Sequence, residues 1–129
     1  EPLALRWSMR HGDVDWEGRV IAAQHAAARA TEQLLADPDA AALLWDESGR
    51  TLHRTLSAAC GSPRMVSMLA QLYDQSRRFR LAALREGTCD PRRVHRHRAE
   101  MVAAILDHDT ERAVSALLAD IHYDLGGPA

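Results

Sequence analysis

The 129 residues are 47% hydrophobic, 26% charged and only 5% aromatic, enough for one domain around one core and too few for two. There are 23 alanines, 16 arginines and seven histidines but neither lysine nor asparagine, a usage typical of a GC-rich genome. The formal net charge of -2 excludes a nucleic-acid coating role driven by counterion release over the whole surface.

Apolar residues recur at three and four along the whole chain and nowhere alternate over a strand's length, which predicts an all-α protein. A short first helix ends near His11-Gly12. Asp13 or Asp15 caps a second, through Trp16, Val20 and Ile21 to about Ala36, and Pro38 separates it from the third. The third carries Leu43, Leu44, Trp45, Leu52, Leu56 and Ala59 and stops at Gly61-Ser62-Pro63. Within it, Gly49 in Asp46-Glu47-Ser48-Gly49-Arg50 marks a possible break with Ser48 as a cap. The fourth starts at Pro63 and shows Met65, Leu69, Leu72, Phe79 and Ala83 on one face, with Tyr73 beside it. After the loop Glu86 to Pro91, a fifth helix holds Val94, Met101, Val102 and Ile105. A sixth, capped by Asp109, holds Val114, Leu117, Leu118 and Ile121 and ends at Gly126-Gly127-Pro128. About six helices with short connections make an antiparallel bundle, whose ligand sites are built from inward-facing side chains.

Cys60 and Cys89 are too few for a disulfide framework and lack metal-type spacing, which fits a reducing cytoplasm, and Cys60 reads as a buried thiol. No apolar run approaches the roughly 20 residues of a membrane span, and the start lacks the order of a signal peptide. The opening Glu1-Pro2-Leu3-Ala4-Leu5 falls in mid-pattern, so the chain reads as a piece of a longer protein with a truncated first helix.

Polar groups on apolar stripes are the candidates for an internal cavity. His53 lies on the edge of the Trp45-Leu52-Leu56 stripe, Arg98 falls where a leucine is expected, Asp120 flanks the stripe of the last helix, and His25 lies among alanines. Each also has a structural reading: a hydrogen-bonded core histidine, or an arginine whose head reaches solvent. His11, His95, His108 and His122 read as solvated, His97 as intermediate, and Met65, Met68 and Met101 as core filler. Half of the arginines lie in residues 77–98, either a solvated helix end and loop or a positive rim around an anionic ligand's entrance.

The stretch Gly12-Asp13-x-x-Trp16-Glu17-x-x-Val20-x-Ala22-Ala23-x-His25 is followed by LHRTLSAACGSP at 52–63 and LYDQSRRFR at 72–80. With HRAEMVAAILDHDTERAVSALLADI at 97–121, this order resembles the FCD domain of GntR-family transcriptional regulators. The flavour is that of the carbon-starvation regulators in the FadR subfamily. The resemblance covers essentially all of 1–129 and implies a helical effector-binding and dimerising domain. In such proteins it follows an N-terminal winged helix-turn-helix, which this chain lacks.

The resemblance further implies a divalent metal such as zinc, held by three histidines plus an aspartate or a fourth histidine. Of those positions His53 is retained. The ligand one turn earlier falls on Gly49, the one eleven residues before Asp109 on Arg98, and the one eleven after on Asp120. Arginine would repel a dication, so no metal cofactor is expected. An Arg98–Asp120 ion pair is expected in its place, open to an anionic group, and the missing Gly49 side chain is expected to enlarge the pocket. A one-residue slip could return His97 or His122 to the set.

The candidate ligand-binding residues are thus His53, Arg98, Asp120, Gly49, Tyr73 and His25, with no catalytic residue assigned. The expected function is that of a cytoplasmic, homodimeric sensor of a small, organic-acid effector, touching DNA only through the missing domain. The alternative is a stand-alone FCD-like protein repurposed for binding or catalysis, with His53 as acid/base and Asp120 orienting it.

Overall fold

In a computed structural model residues 1–124 are described, and they form seven α-helices without a strand. These are α1 (Pro2–His11), α2 (Val14–Ala36), α3 (Pro38–Ser57), α4 (Pro63–Gln75), α5 (Arg77–Glu86), α6 (Pro91–Leu106) and α7 (Thr110–Asp124). The expected stop at Gly126-Gly127-Pro128 lies outside the described residues. No described helix is long and apolar enough to cross a membrane.

Local chemistry fixes the boundaries. Proline stands in the first turn of α1, α3, α4 and α6, where its missing N–H costs nothing. Carboxylates of Asp13, Asp37 and Asp90 and the hydroxyl of Ser62 accept from free backbone N–H groups at the starts of α2, α3, α6 and α4. Asp109 caps α7 through Arg112 N at 3.1 Å. Gly87 closes α5 in the left-handed region at φ 77°, where glycine carries no Cβ penalty.

The helices α1, α2, α3, α6 and α7 enclose the main core, with Leu5, Trp16, Val20, Leu52, Leu56, Met101, Ile105 and Leu117 buried. Trp16 ties α2 to α3 by donating its Nε1–H to the Thr55 carbonyl at 2.8 Å. A second cluster joins Leu34, Trp45, Ala83, Cys89, Val94 and Tyr123 at the far end. Both cysteines are buried thiols.

Several expectations need correction. The continuous helix expected from Pro63 to Ala83 is two helices, because Ser76 ends one and begins the next. Its supposed core face is mostly not in the core, with Leu72 and Phe79 exposed and no residue of α4 buried. The break suspected at Gly49 does not occur, since α3 runs through it unbroken. Leu43, Leu44, Leu118 and Met68 are also exposed, and His95 is half-buried rather than solvated.

Candidate functional site

Helix α3 carries the site. Asp46, Gly49 and His53 fall at i, i+3 and i+7, one above another on one face, and all three are buried. Four helices converge on His53. Its Nδ1 lies 2.5 Å from Glu1 Oε1 before α1, and its Nε2 lies 3.2 Å from Asp120 Oδ2 on α7. Arg98 on α6 donates from Nε to the same Asp120 oxygen at 3.3 Å, so the expected ion pair is present and buried.

Burial alone would push the His53 imidazole toward neutrality. The charges of Glu1 and Asp120 and their hydrogen bonds outweigh it and raise its pKa to about 10. The carboxylates respond in the opposite sense. Burial would raise Glu1 and Asp120, but His53 lowers the first, and Arg98 with His53 lowers the second. The result is two cations and two anions alternating through the bundle, with both ring nitrogens of His53 donating.

Gly49 gives room to this arrangement. A Cβ there would fall 2.7 Å from the Tyr73 hydroxyl and 2.9 Å from Arg98 Nη2, so the ends of those two side chains would have to shift. The space left by the missing side chain is filled by Tyr73 and Arg98, so the expectation of an enlarged pocket at Gly49 is not met. The Arg98 guanidinium also stands 5.8 Å from the Trp45 ring centroid, within cation–π reach.

A second charged centre was missed from the sequence. Arg80, buried on α5, grips Asp46 with two donors at 2.7 and 3.2 Å, and its other bonds run to the Ser76 hydroxyl and the Tyr73 carbonyl. Its guanidinium stacks 3.6 Å from the Tyr73 ring centroid. Arg77 adds a bond to Asp46 at 2.8 Å and one to Glu47. The basic run is thus only in part the solvated face expected. Arg77, Arg80 and Arg98 turn to buried carboxylates, whereas Arg78, Arg85, Arg92 and Arg96 stay exposed. The available signal was spacing: Asp46 shares the helical face of His53, and Arg80 lies seven residues after Tyr73.

Between the two centres lies a cavity of about 360 Å³. His53, Tyr73, Ser76 and Arg80 form one part of its wall with Glu1, and Pro2, Leu69, Leu72, Leu118 and Ile121 supply the apolar remainder. A larger groove of about 840 Å³ runs between α3 and α4 past Arg50, Arg54 and Asp74. That groove is open to solvent and touches none of the buried charges, so the smaller cavity is the better candidate. Of the expected ligand residues, His53 and Tyr73 line it, while Gly49, Arg98 and Asp120 are clustered around His53 behind its wall. His25 is exposed on α2 and is not brought to the site.

The residues do not fit the metal implied by the resemblance. The two nitrogens of His53 face different carboxylates, Gly49 offers no donor, and Arg98 holds a cation on the Asp120 oxygen. Among the described residues no three His, Cys, Asp or Glu side chains gather as a metal site requires. His97 and His122 do not rejoin the set: His97 stacks edge-on against Tyr123, and His122 is exposed.

The described residues thus form a helical bundle with buried ion pairs beside a largely apolar cavity, and comparison with known proteins places the chain in a family. The FCD domain model matches residues 1–123, and the chain belongs to that family. It is 32% identical over 115 residues to a protein of Paraburkholderia xenovorans (strain LB400) described as the uncharacterized HTH-type transcriptional regulator BphR. The match covers 88% of this chain and 46% of the relative, so the chain spans about half of that protein's length. No solved structure matches.

Proposed function

We propose that this chain is the effector-sensing and dimerising domain of a GntR/FadR-type, HTH-type transcriptional regulator that works in the cytoplasm. The effector is a small organic acid with an apolar body, held in the cavity beside His53. The observation that carries this reading is that His53 and the buried Arg80 line a cavity together with Glu1, Tyr73 and Ser76, and that the rest of its wall is leucine, isoleucine and proline. A carboxylate suits the charged end and a hydrocarbon suits the rest. Binding would shift the arrangement of attached DNA-reading domains, as any ligand with unequal affinity for two states must.

No metal takes part, because a guanidinium stands on the carboxylate that would ligate it. The catalytic alternative draws no support from His53. An imidazole that donates from both nitrogens and titrates near 10 has no lone pair for a general base at neutral pH. The exposed apolar side chains of Met68, Leu72 and Phe79 on α4 and α5 favour a homodimer.

The test is mass spectrometry of small molecules that copurify with the protein, joined to a thermal-shift screen of organic acids. Stabilisation by carboxylates with apolar bodies, and not by their amides, is the expected result. Equal response to acids and amides would sink the reading.

A further inference from the structure

Two buried arginines belong to the site, but they stand differently to the cavity. Arg80 lines it beside His53 and Ser76, whereas Arg98 does not. Arg98 bonds Asp120 through Nε and turns Nη1 and Nη2 to the space over Gly49, within 3.2 Å of where a Cβ would stand. The Tyr73 hydroxyl occupies the same space, and Tyr73 is also part of the cavity wall. Tyr73 therefore touches the cavity with one part of its side chain and the surroundings of the Arg98 guanidinium with another.

The ring is held in that position. Arg80, fixed by Asp46, stacks 3.6 Å from its centroid, and the His53 ring, fixed by Asp120, lies 5.0 Å from it. The Tyr73 carbonyl accepts from Arg80 and from the Ser76 hydroxyl. A ring packed against two anchored groups is a wall rather than loose filling.

That wall decides what the cavity offers a ligand. Beyond His53, Arg80 and their polar neighbours, the lining is Leu69, Leu72, Leu118 and Ile121 with Pro2. One carboxylate is served there. A second, at the far end of the same hydrocarbon chain, would be buried against leucine and isoleucine, where an ionised group without a partner is costly. The fork of Nη donors that suits a second carboxylate belongs to Arg98, on the other side of Tyr73.

We propose that Tyr73 is a specificity-determining residue, whose ring shuts Arg98 away from the cavity and so restricts the effector to acids with a single carboxylate. This deepens, and rests on, the reading of the cavity as a carboxylate site.

Hexanoate and adipate, equal in chain length but carrying one and two carboxylates, serve as probes. Their binding is measured by calorimetry on the 129-residue chain and on Tyr73→Ala, Tyr73→Leu and Tyr73→Phe. The parent should bind hexanoate about tenfold more tightly than adipate. Tyr73→Ala should move that ratio about tenfold toward adipate, Tyr73→Leu should move it the same way, and Tyr73→Phe, which keeps the ring, should restore the parent's ratio. A role confined to packing would weaken both acids together and leave the ratio where it was. An unchanged ratio in the alanine and leucine variants overturns the partition while leaving the carboxylate site standing, as does a Tyr73→Phe shift equal to that of Tyr73→Ala. So does a parent chain that takes adipate as tightly as hexanoate, a comparison that needs no variant to fold. Binding of neither acid to any of the four proteins overturns the carboxylate site itself, and the partition with it.

Discussion

The two sides of this molecule are held together by different forces. The slab of α1, α2, α6, α7 and the facing side of α3 buries a continuous set of large apolar side chains. The α4–α5 arm buries little except Arg80 and Ala83, and is fastened to α3 by charge, through Arg80 and Arg77 on Asp46 and Arg50 on Asp74. Apolar packing is non-directional and tolerant, whereas a buried ion pair is directional and fails when one partner is lost. The cavity sits at the seam, with its apolar wall drawn from both sides and its polar wall built where the charges meet. The weakly buried arm is the part expected to open first.

Removing one partner of a buried pair should have the largest effect. Arg80→Ala and Arg98→Ala should each cost up to about 3–5 kcal/mol in urea unfolding, since each takes the guanidinium from a buried carboxylate and leaves Asp46 to Arg77 and Asp120 to His53. Arg80→Ala should in addition expose the α4–α5 amides to hydrogen exchange ahead of the slab. Uniform loss of protection across both sides would show that they unfold as one unit.

The next largest effect is in pH. His53 titrates near 10 in the fold against 6.5 in the unfolded chain. Its contribution is therefore complete below about pH 6.5 and lost as pH rises toward 10. Glu1 and Asp120 are depressed, so their contributions are present above the ordinary carboxylate range and lost on acidification. Stability should be greatest between about pH 5 and 6.5 and fall by a few kcal/mol by about pH 10. His53→Gln should flatten the alkaline limb, and an unchanged limb would contradict the assignment.

Gly49→Ala should destabilise by about 1–2 kcal/mol despite the better helix propensity of alanine, because its Cβ enters space held by Tyr73 and Arg98. A gain in stability would mean that Tyr73 and Arg98 yield freely. The smallest effect belongs to the outer surface of the arm, where Phe79 is 54% exposed. Phe79→Ser should leave monomer stability within about 0.5 kcal/mol, while weakening self-association seen by light scattering.

Most of the helix boundaries were legible because proline, aspartate and serine announce them chemically. The break at Ser76 was not, since no glycine or proline marks it and its backbone remains near-helical at φ -89°, ψ -2°. It follows from tertiary bonds: the Tyr73 carbonyl accepts from the Ser76 hydroxyl and from Arg80 instead of continuing the ladder. His53, Arg98 and Asp120 were legible as polar groups on apolar stripes. Arg80 was hidden in a run of arginines whose members look alike until Asp46 selects one. Glu1 was hidden because a single carboxylate beside a helix start carries no pattern. His25 was misleading because a stripe of alanines can face solvent as readily as a core.

The most direct measurement is urea unfolding of the parent chain and of Leu118→Trp, which places an indole in the cavity, with and without hexanoate. At about 100 times its dissociation constant, hexanoate should add about 2.7 kcal/mol to the parent and nothing to Leu118→Trp. Equal stabilisation of both proteins would place the ligand elsewhere and contradict the cavity as the effector site.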